Sequence, residues 1–183
     1  MRLLATILVA AALALPGCAS IPLSTAIRLS SLKPRALTQI DPGEVRVRVS
    51  VPAGFHLNMD ASRLTLSLKA PNGRSQRHEM TLSLLQTARE TRSAGLFSRD
   101  MAVSTYTLAL SPSGASRLRS AQQFVLAENP DNFEFGVYAP LAKMPAGARE
   151  ITFWADLRLS SKEQYMPLID GAKFMFDARA AGG

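Results

Sequence analysis

Strict alternation of apolar and polar residues is the feature that most limits the folds open to this chain. Arginine or serine stands between valines that are spaced two apart, at Val45, Val47, Val49 and Val51. Successive side chains of a β-strand point to opposite sides, so this pattern predicts a strand with one buried face and one wet face. A helix would scatter the four valines around its axis, and the pattern therefore argues against one here.

The same alternation recurs along the chain and predicts a mainly β domain. Further strands are expected over residues 63–70, 77–85, 101–110, 132–138, 149–159 and 172–177. The first two of these flank a Pro-Asn-Gly turn and are expected to form a hairpin. Ser111-Pro112 predicts the start of a helix, because serine caps helices and proline suits the first helical position, and Asn129-Pro130 predicts its end.

Together these elements predict the fold class. About seven strands joined by short turns are typical of an antiparallel β-sandwich, in an immunoglobulin-like or transthyretin-like layout, here with one short inserted α-helix. The Cys…Trp…Cys pattern of immunoglobulin domains is absent, so the strand order stays open. We expect the sandwich to span residues 44–178 and a tail to follow over 179–183, with residues 87–100 forming a long loop.

The N-terminus carries an export signal. Arg2 precedes an unbroken apolar run over residues 3–15, and Leu15-Pro16-Gly17-Cys18 closes the run with the single cysteine of the chain. A basic start, an apolar middle and small residues at the end are the parts of a secretory signal peptide. The run is shorter than the roughly 20 residues that a helix needs to cross a bilayer.

The four closing residues resemble the lipobox of bacterial lipoproteins. The resemblance implies cleavage after Gly17 and lipidation of Cys18, so that residues 1–17 are the signal peptide and 18–43 a lipidated, membrane-proximal linker. It also implies palmitate-type acyl chains and, because Ala19 is not an aspartate, sorting to the outer membrane on its periplasmic side. An alternative from the same residues is ordinary cleavage after Ala19, which would discard the cysteine.

The net charge of the chain limits the classes of partner that we expect. The chain carries a formal net charge of +7 at pH 7, with arginines spread along its length. Such a surface is either simply solvated or attracted to anionic lipid headgroups, glycans or an acidic envelope protein. No nucleic-acid recognition motif is present, so we expect no nucleic-acid partner. We expect no cofactor either, because a lipidated Cys18 leaves no thiol for a disulfide or a metal.

Few residues have catalytic chemistry to offer. His56 and His78 are isolated in sequence and are expected at the surface. Ser30 and Lys33 match the S-x-x-K pattern of penicillin-binding enzymes, but the partner motifs of that family are missing. The acidic residues after the predicted helix (Glu128, Asp131 and Glu134) are expected to form a solvated turn and no metal site.

Five residues are candidates for contact with a partner: Phe97, Arg92, Trp154, Tyr165 and Met166. Arg92 and Phe97 fall in the predicted loop, although Phe97 has an alternative place on the rim of the core. Tyr165 and Met166 lie in the connection 160–171 and are residue types favoured at interfaces. Trp154 falls on the polar face of its strand, which indicates either a contact site or burial beneath the inserted helix.

Three functions compete on these grounds. The first is a non-enzymatic envelope lipoprotein whose domain binds or scaffolds another envelope component. The second is a binding module for lipid, lipopolysaccharide or cell-wall glycan, which the arginines favour. The third is a hydrolase with an unrecognised site, which the scarcity of titratable side chains disfavours.

Overall fold

The computed structural model describes residues 32–93 and 100–176. Its main feature is one seven-stranded antiparallel sheet with the strand order β6-β3-β4-β5-β1-β8-β9. The strands of that sheet are β1 (Arg46–Pro52), β3 (Arg63–Lys69), β4 (Ser75–Arg92), β5 (Met101–Leu110), β6 (Asn132–Tyr138), β8 (Glu150–Arg158) and β9 (Met166–Met175). The other elements are a 3-10 helix (Pro34–Gln39), a short sheet of β2 (His56–Leu57) and β7 (Leu141–Lys143), and the helix α1 (Pro112–Glu128).

The valine strand β1 lies within the sheet, between β5 and β8. Val47 pairs with Leu108 of β5 on one side and with Leu157 of β8 on the other. All the valines of β1 point into one hydrophobic core, which also takes in the leucines of β3 and the buried side of α1. The alternation therefore predicted this strand and its buried face correctly. We call the opposite side of the sheet, which points away from this core, the outer face.

The predicted β-sandwich is wrong, because the strands form one sheet that is nearly closed into a barrel. The cause lies in β4, which is 18 residues long. Its first part pairs with β3 and its second part with β5, so one strand joins what would be two sheets. Leu85 forms a β-bulge between the paired residues Leu84 and Gln86. A bulge bends its strand and increases the local twist, which lets a single sheet coil around the core.

Two predicted strand ends are also corrected. Residues 87–92 were expected in a loop, but they continue β4 and pair with β5. β9 begins at Met166, six residues before the strand predicted over 172–177. Both segments lack clean alternation, because β4 is polar on both faces here and β9 contains Pro167 and Gly171. By contrast, β5 and β6 have the predicted limits.

The inserted helix α1 begins as predicted and packs on the core face of β4. The Ser111 side chain caps it by accepting a hydrogen bond from the Gly114 amide at 3.1 Å, and the Ser111 amide donates to the Thr81 carbonyl at 3.0 Å. A Cβ atom on Gly114 would lie 2.3 Å from the Thr81 carbonyl oxygen. Glycine is therefore what lets the first turn of α1 approach the β4 backbone this closely. Asn129, in the left-handed conformation, ends the helix.

The 3-10 helix packs against α1. Pro34 stands at the start of this helix, where its missing amide and fixed φ cost nothing. Leu37 is fully buried in the core. The Gln122 side chain donates to the Leu37 and Ile40 carbonyls at 3.0 and 2.8 Å. The described part of segment 18–43 is thus attached to the domain.

Neither helix in the described ranges is both long and apolar enough to cross a membrane.

Candidate functional site

An open apolar groove lies where the sheet fails to close. β6 and β9 are the two edges of the sheet and do not pair with each other, yet both line one groove of about 420 Å³. We call it the seam groove. Its lining residues are Val137, Tyr138, Ala139, Pro140, Leu141, Met144, Ile151, Phe153, Ile169, Phe174 and Phe176.

The seam groove is an extension of the core that is left uncovered. Phe153 of β8 and Phe174 of β9 meet edge to face with ring centroids 6.2 Å apart, and Phe153 belongs to the core cluster. At one end, Phe176 stacks on Phe55 at 6.3 Å, beside the short β2–β7 sheet. In a fully closed barrel, β6 and β9 would pair with each other and cover these rings.

The rim of the seam groove exposes large apolar side chains. Tyr138 is 58%, Met144 42% and Phe174 37% exposed to solvent. Only one lining side chain, that of Tyr138, carries a hydrogen-bonding group, and none carries a charge. A volume within the usual range for ligand pockets, with a nearly all-apolar lining, suits an apolar ligand and gives a polar one almost nothing to bind.

A second, shallow groove of about 440 Å³ lies between β3, β4 and β6. Its charged lining residues are Lys69, Arg77 and Glu134, and all three are exposed or half-exposed. Arg77 is 3.6 Å from Glu79. Exposed ion pairs of this kind fix little geometry, so this groove is a weaker candidate than the seam groove.

The outer face of β1 and β8 carries an ordered polar cluster. The Asp156 carboxylate accepts from the Arg92 guanidinium at 2.5 Å and lies 3.6 Å from that of Arg48. The Tyr165 ring lies between two guanidiniums, 4.5 Å from that of Arg48 and 5.0 Å from that of Arg158. We call these five residues the arginine–tyrosine cluster.

Trp154 lies on the same outer face and is buried, although not beneath α1. It stands opposite Ser50 of β1, whereas α1 packs on the core side. Gly171 of β9 faces the indole: a Cβ on Gly171 would be 3.4 Å from its Nε1. Gly171 also has a φ of +68°, which glycine adopts without strain. Trp154 is therefore covered in part by β9.

The predicted contact residues thus separate. Arg92 and Tyr165 belong to the arginine–tyrosine cluster and Trp154 lies beside it on the same strand face as Asp156. Met166 is buried in the core and offers no surface to a partner. Phe97 lies outside the described residues, as do Cys18 and Gly17.

The two histidines lie apart in different environments. His56 is exposed on β2, as expected. His78 was expected at the surface, but it is buried on the core face of β4 opposite Leu66, and its Nε2 has no hydrogen-bond partner within the described ranges. Burial lowers the pKa of His78 below its usual 6.5, and the positive charge of Arg117 lowers it further.

The acidic residues do not assemble a metal site. Glu128 forms an ion pair with Arg74 and accepts from Asn72 at 3.1 Å, which ties the β3–β4 turn to the end of α1. Glu44 accepts from the Ser161 amide and the Ser160 hydroxyl at 3.0 and 2.8 Å. Across residues 32–93 and 100–176, no three His, Cys, Asp or Glu side chains are grouped as metal ligands.

Sequence reasoning missed the seam groove. Ile151, Phe153 and Phe174 were recognised only as inward-facing strand residues. The segment 139–144 held one signal, since it places the apolar residues Leu141 and Met144 directly after a predicted strand.

Comparison of the chain with protein-family models, with curated proteins and with solved structures finds no match.

Proposed function

We propose that the protein is a lipid-anchored, non-enzymatic domain of the bacterial cell envelope that binds the acyl chain of an envelope lipid in its seam groove. The observation that carries the proposal is the almost entirely apolar lining of a groove that is open along the gap between two sheet edges.

The groove chemistry favours an acyl chain over a protein partner. Protein interfaces combine an apolar centre with about one hydrogen bond per 100–200 Å² and a polar rim. The side chains that line the seam groove offer a single hydroxyl, and its rim is formed by Tyr138, Met144 and Phe174. An acyl chain needs no polar partner, and it is the most abundant apolar group at a membrane surface, where the lipobox-like sequence would hold the domain.

A binding titration with matched variants tests the proposal. The full chain is purified in a sterol-based detergent, which has no flexible tail to occupy the groove, and is titrated with a fluorescent long-chain fatty acid. Met144→Glu places a charge in the groove at a half-exposed position. We expect saturable binding that weakens about tenfold in this variant, because roughly 1–2 kcal/mol of apolar burial is lost.

Leu85→Glu is the control. Leu85 is 56% exposed and lies outside the groove. This variant therefore changes the hydrophobicity and charge of the surface as Met144→Glu does, but away from the groove. Its affinity is expected to equal that of the natural chain. Equal loss in both variants, or no saturable binding, would contradict the proposal.

The anchor is tested separately by mass spectrometry of the mature protein. We expect an N-terminal Cys18 that carries acyl chains. A mature protein beginning at an unmodified Ser20 would show that the chain is exported without a lipid anchor.

A further inference from the structure

We propose that the arginine–tyrosine cluster is an anion site that binds a phosphate group, separate from the seam groove. The two sites lie on opposite faces of the sheet and at opposite ends of β8, since Ile151 and Phe153 line the groove whereas Asp156 and Arg158 belong to the cluster. A ligand bound in the seam groove would therefore not account for the arginine–tyrosine cluster.

Charge is the first argument. Two guanidiniums, those of Arg92 and Arg48, lie within 4 Å of the Asp156 carboxylate, whose side chain is only 9% exposed. A third, that of Arg158, contacts the same Tyr165 ring as Arg48. Arg158 forms no ion pair with any of the described residues. Glu90 is the other acidic residue joined to this face, through a hydrogen bond from Thr105 at 2.9 Å. The cluster therefore keeps an excess of positive charge even when both acids are counted.

Geometry is the second argument. Two like-charged guanidiniums lie at 4.5 and 5.0 Å from the centroid of one ring, and the cation–π contact with that tyrosine restrains the position of each. The Nε atoms of Arg48 and Arg158 are buried, and neither has a hydrogen-bond partner among the residues that the structure describes. Both side chains remain partly open to solvent, so a ligand would bind at their terminal nitrogens and not at the buried Nε atoms.

Pre-oriented guanidiniums favour phosphate as the ligand. A planar guanidinium donates two parallel hydrogen bonds to an oxyanion, and the three oxygens of a phosphate can accept from more than one arginine. The contact with the Tyr165 ring restrains Arg48 and Arg158 before a ligand arrives, which reduces the side-chain entropy lost on binding. The same chemistry would serve an anionic lipid headgroup or a soluble phosphate ester.

Calorimetry with the full chain in neutral detergent micelles tests the site. One arm titrates inorganic phosphate and glycerol phosphate, and the other titrates phosphatidylglycerol mixed into the micelles. Arg158→Gln removes a guanidinium that has no ion pair to lose, so we expect the fold to persist and phosphate affinity to fall roughly tenfold or more. Circular dichroism checks that the fold is retained.

Arg77→Gln is the matched control, because it removes the same charge from an exposed site on the other half of the sheet. Its affinity is expected to be unchanged. Binding in the soluble arm that depends on Arg158 identifies a free phosphate ester as the ligand, and such binding in the micelle arm alone identifies a lipid headgroup. Equal affinities of the Arg158→Gln and natural chains, or no saturable binding in either arm, would overturn the proposal. Equal affinities of the two chains would leave acyl-chain binding in the groove unaffected, because Arg158 does not line the groove.

Discussion

At the scale of single residues, close approach decides which side chains are tolerated. A Cβ atom on Gly114 would overlap the Thr81 carbonyl, whereas one on Gly171 would make an ordinary contact with the Trp154 ring. The contact at Gly114 is with the backbone, which cannot move aside by changing a rotamer as a side chain can. The packing of α1 on β4 therefore depends on the absence of a Cβ atom at Gly114.

Gly114→Ala is expected to lower the free energy of unfolding by about 1–3 kcal/mol, because overpacking outweighs the gain of roughly 1 kcal/mol in helix propensity. Urea denaturation measures the change. Ser116→Ala, at an exposed position of the same helix, is the control and is expected to leave stability the same or raise it by a few tenths of a kcal/mol. A Gly114→Ala protein as stable as the natural one would show that α1 does not approach β4 as described.

His78 makes stability depend on pH. Its pKa is lowered in the folded protein and is near 6.5 in the unfolded chain, so the unfolded chain binds more protons between these two values. Stability is then fully present above pH 6.5 and falls as the pH drops toward the folded pKa. We expect the urea midpoint to decrease from pH 7.5 to 5.5 in the natural chain and to change less in His78→Gln. An identical decrease in both proteins would contradict this role.

Glu44 acts in a more acidic range. The Ser161 amide, with the Ser160 and Ser161 hydroxyls, holds the pKa of Glu44 below its usual 4.5. Since the folded pKa is the lower one, this contribution is present above pH 4.5 and is lost below it. The pH range from 7.5 to 5.5 therefore isolates the effect of His78.

At the scale of elements, the long strand β4 determines how the sheet is built. Alternation predicted β1, β5, β6 and the β3–β4 hairpin, because each has one apolar and one polar face. It failed after Leu84, because the bulge at Leu85 shifts the pattern by one residue and the remainder of β4 is polar on both faces. A periodic pattern gives the face of a residue and carries no information on where a strand bends.

Deletion of Leu85 tests the bulge. Removing the extra residue forces one part of β4 out of register and turns its side chains to the wrong face, so we expect severe destabilisation or failure to fold. Leu85→Ser keeps the residue count and alters only an exposed side chain, so its free energy of unfolding is expected within about 0.5 kcal/mol of the natural value. If the deletion were as mild as the substitution, β4 would not be one continuous bulged strand.

At the scale of the whole molecule, the incomplete closure of the sheet creates the groove on which the proposed function rests. β6 and β9 are the sheet edges because β1 takes the central place between β5 and β8, a pairing between residues far apart in the chain. The local pattern does not specify such pairing, so neither the number of sheets nor the seam groove could be predicted from the sequence. The outer-face residues Arg92, Trp154 and Tyr165 were recognisable by residue type, although their assembly around Asp156 was not.

The most direct test of this account is photolabelling with a long-chain fatty acid that carries a diazirine at its apolar end, followed by peptide mapping of the full chain. Acyl-chain binding at the open seam predicts saturable labelling concentrated on the strand edges and the adjoining loop, around Tyr138, Met144 and Phe174. Labelling centred instead on the exposed leucines Leu84, Leu85 and Leu126 would contradict it.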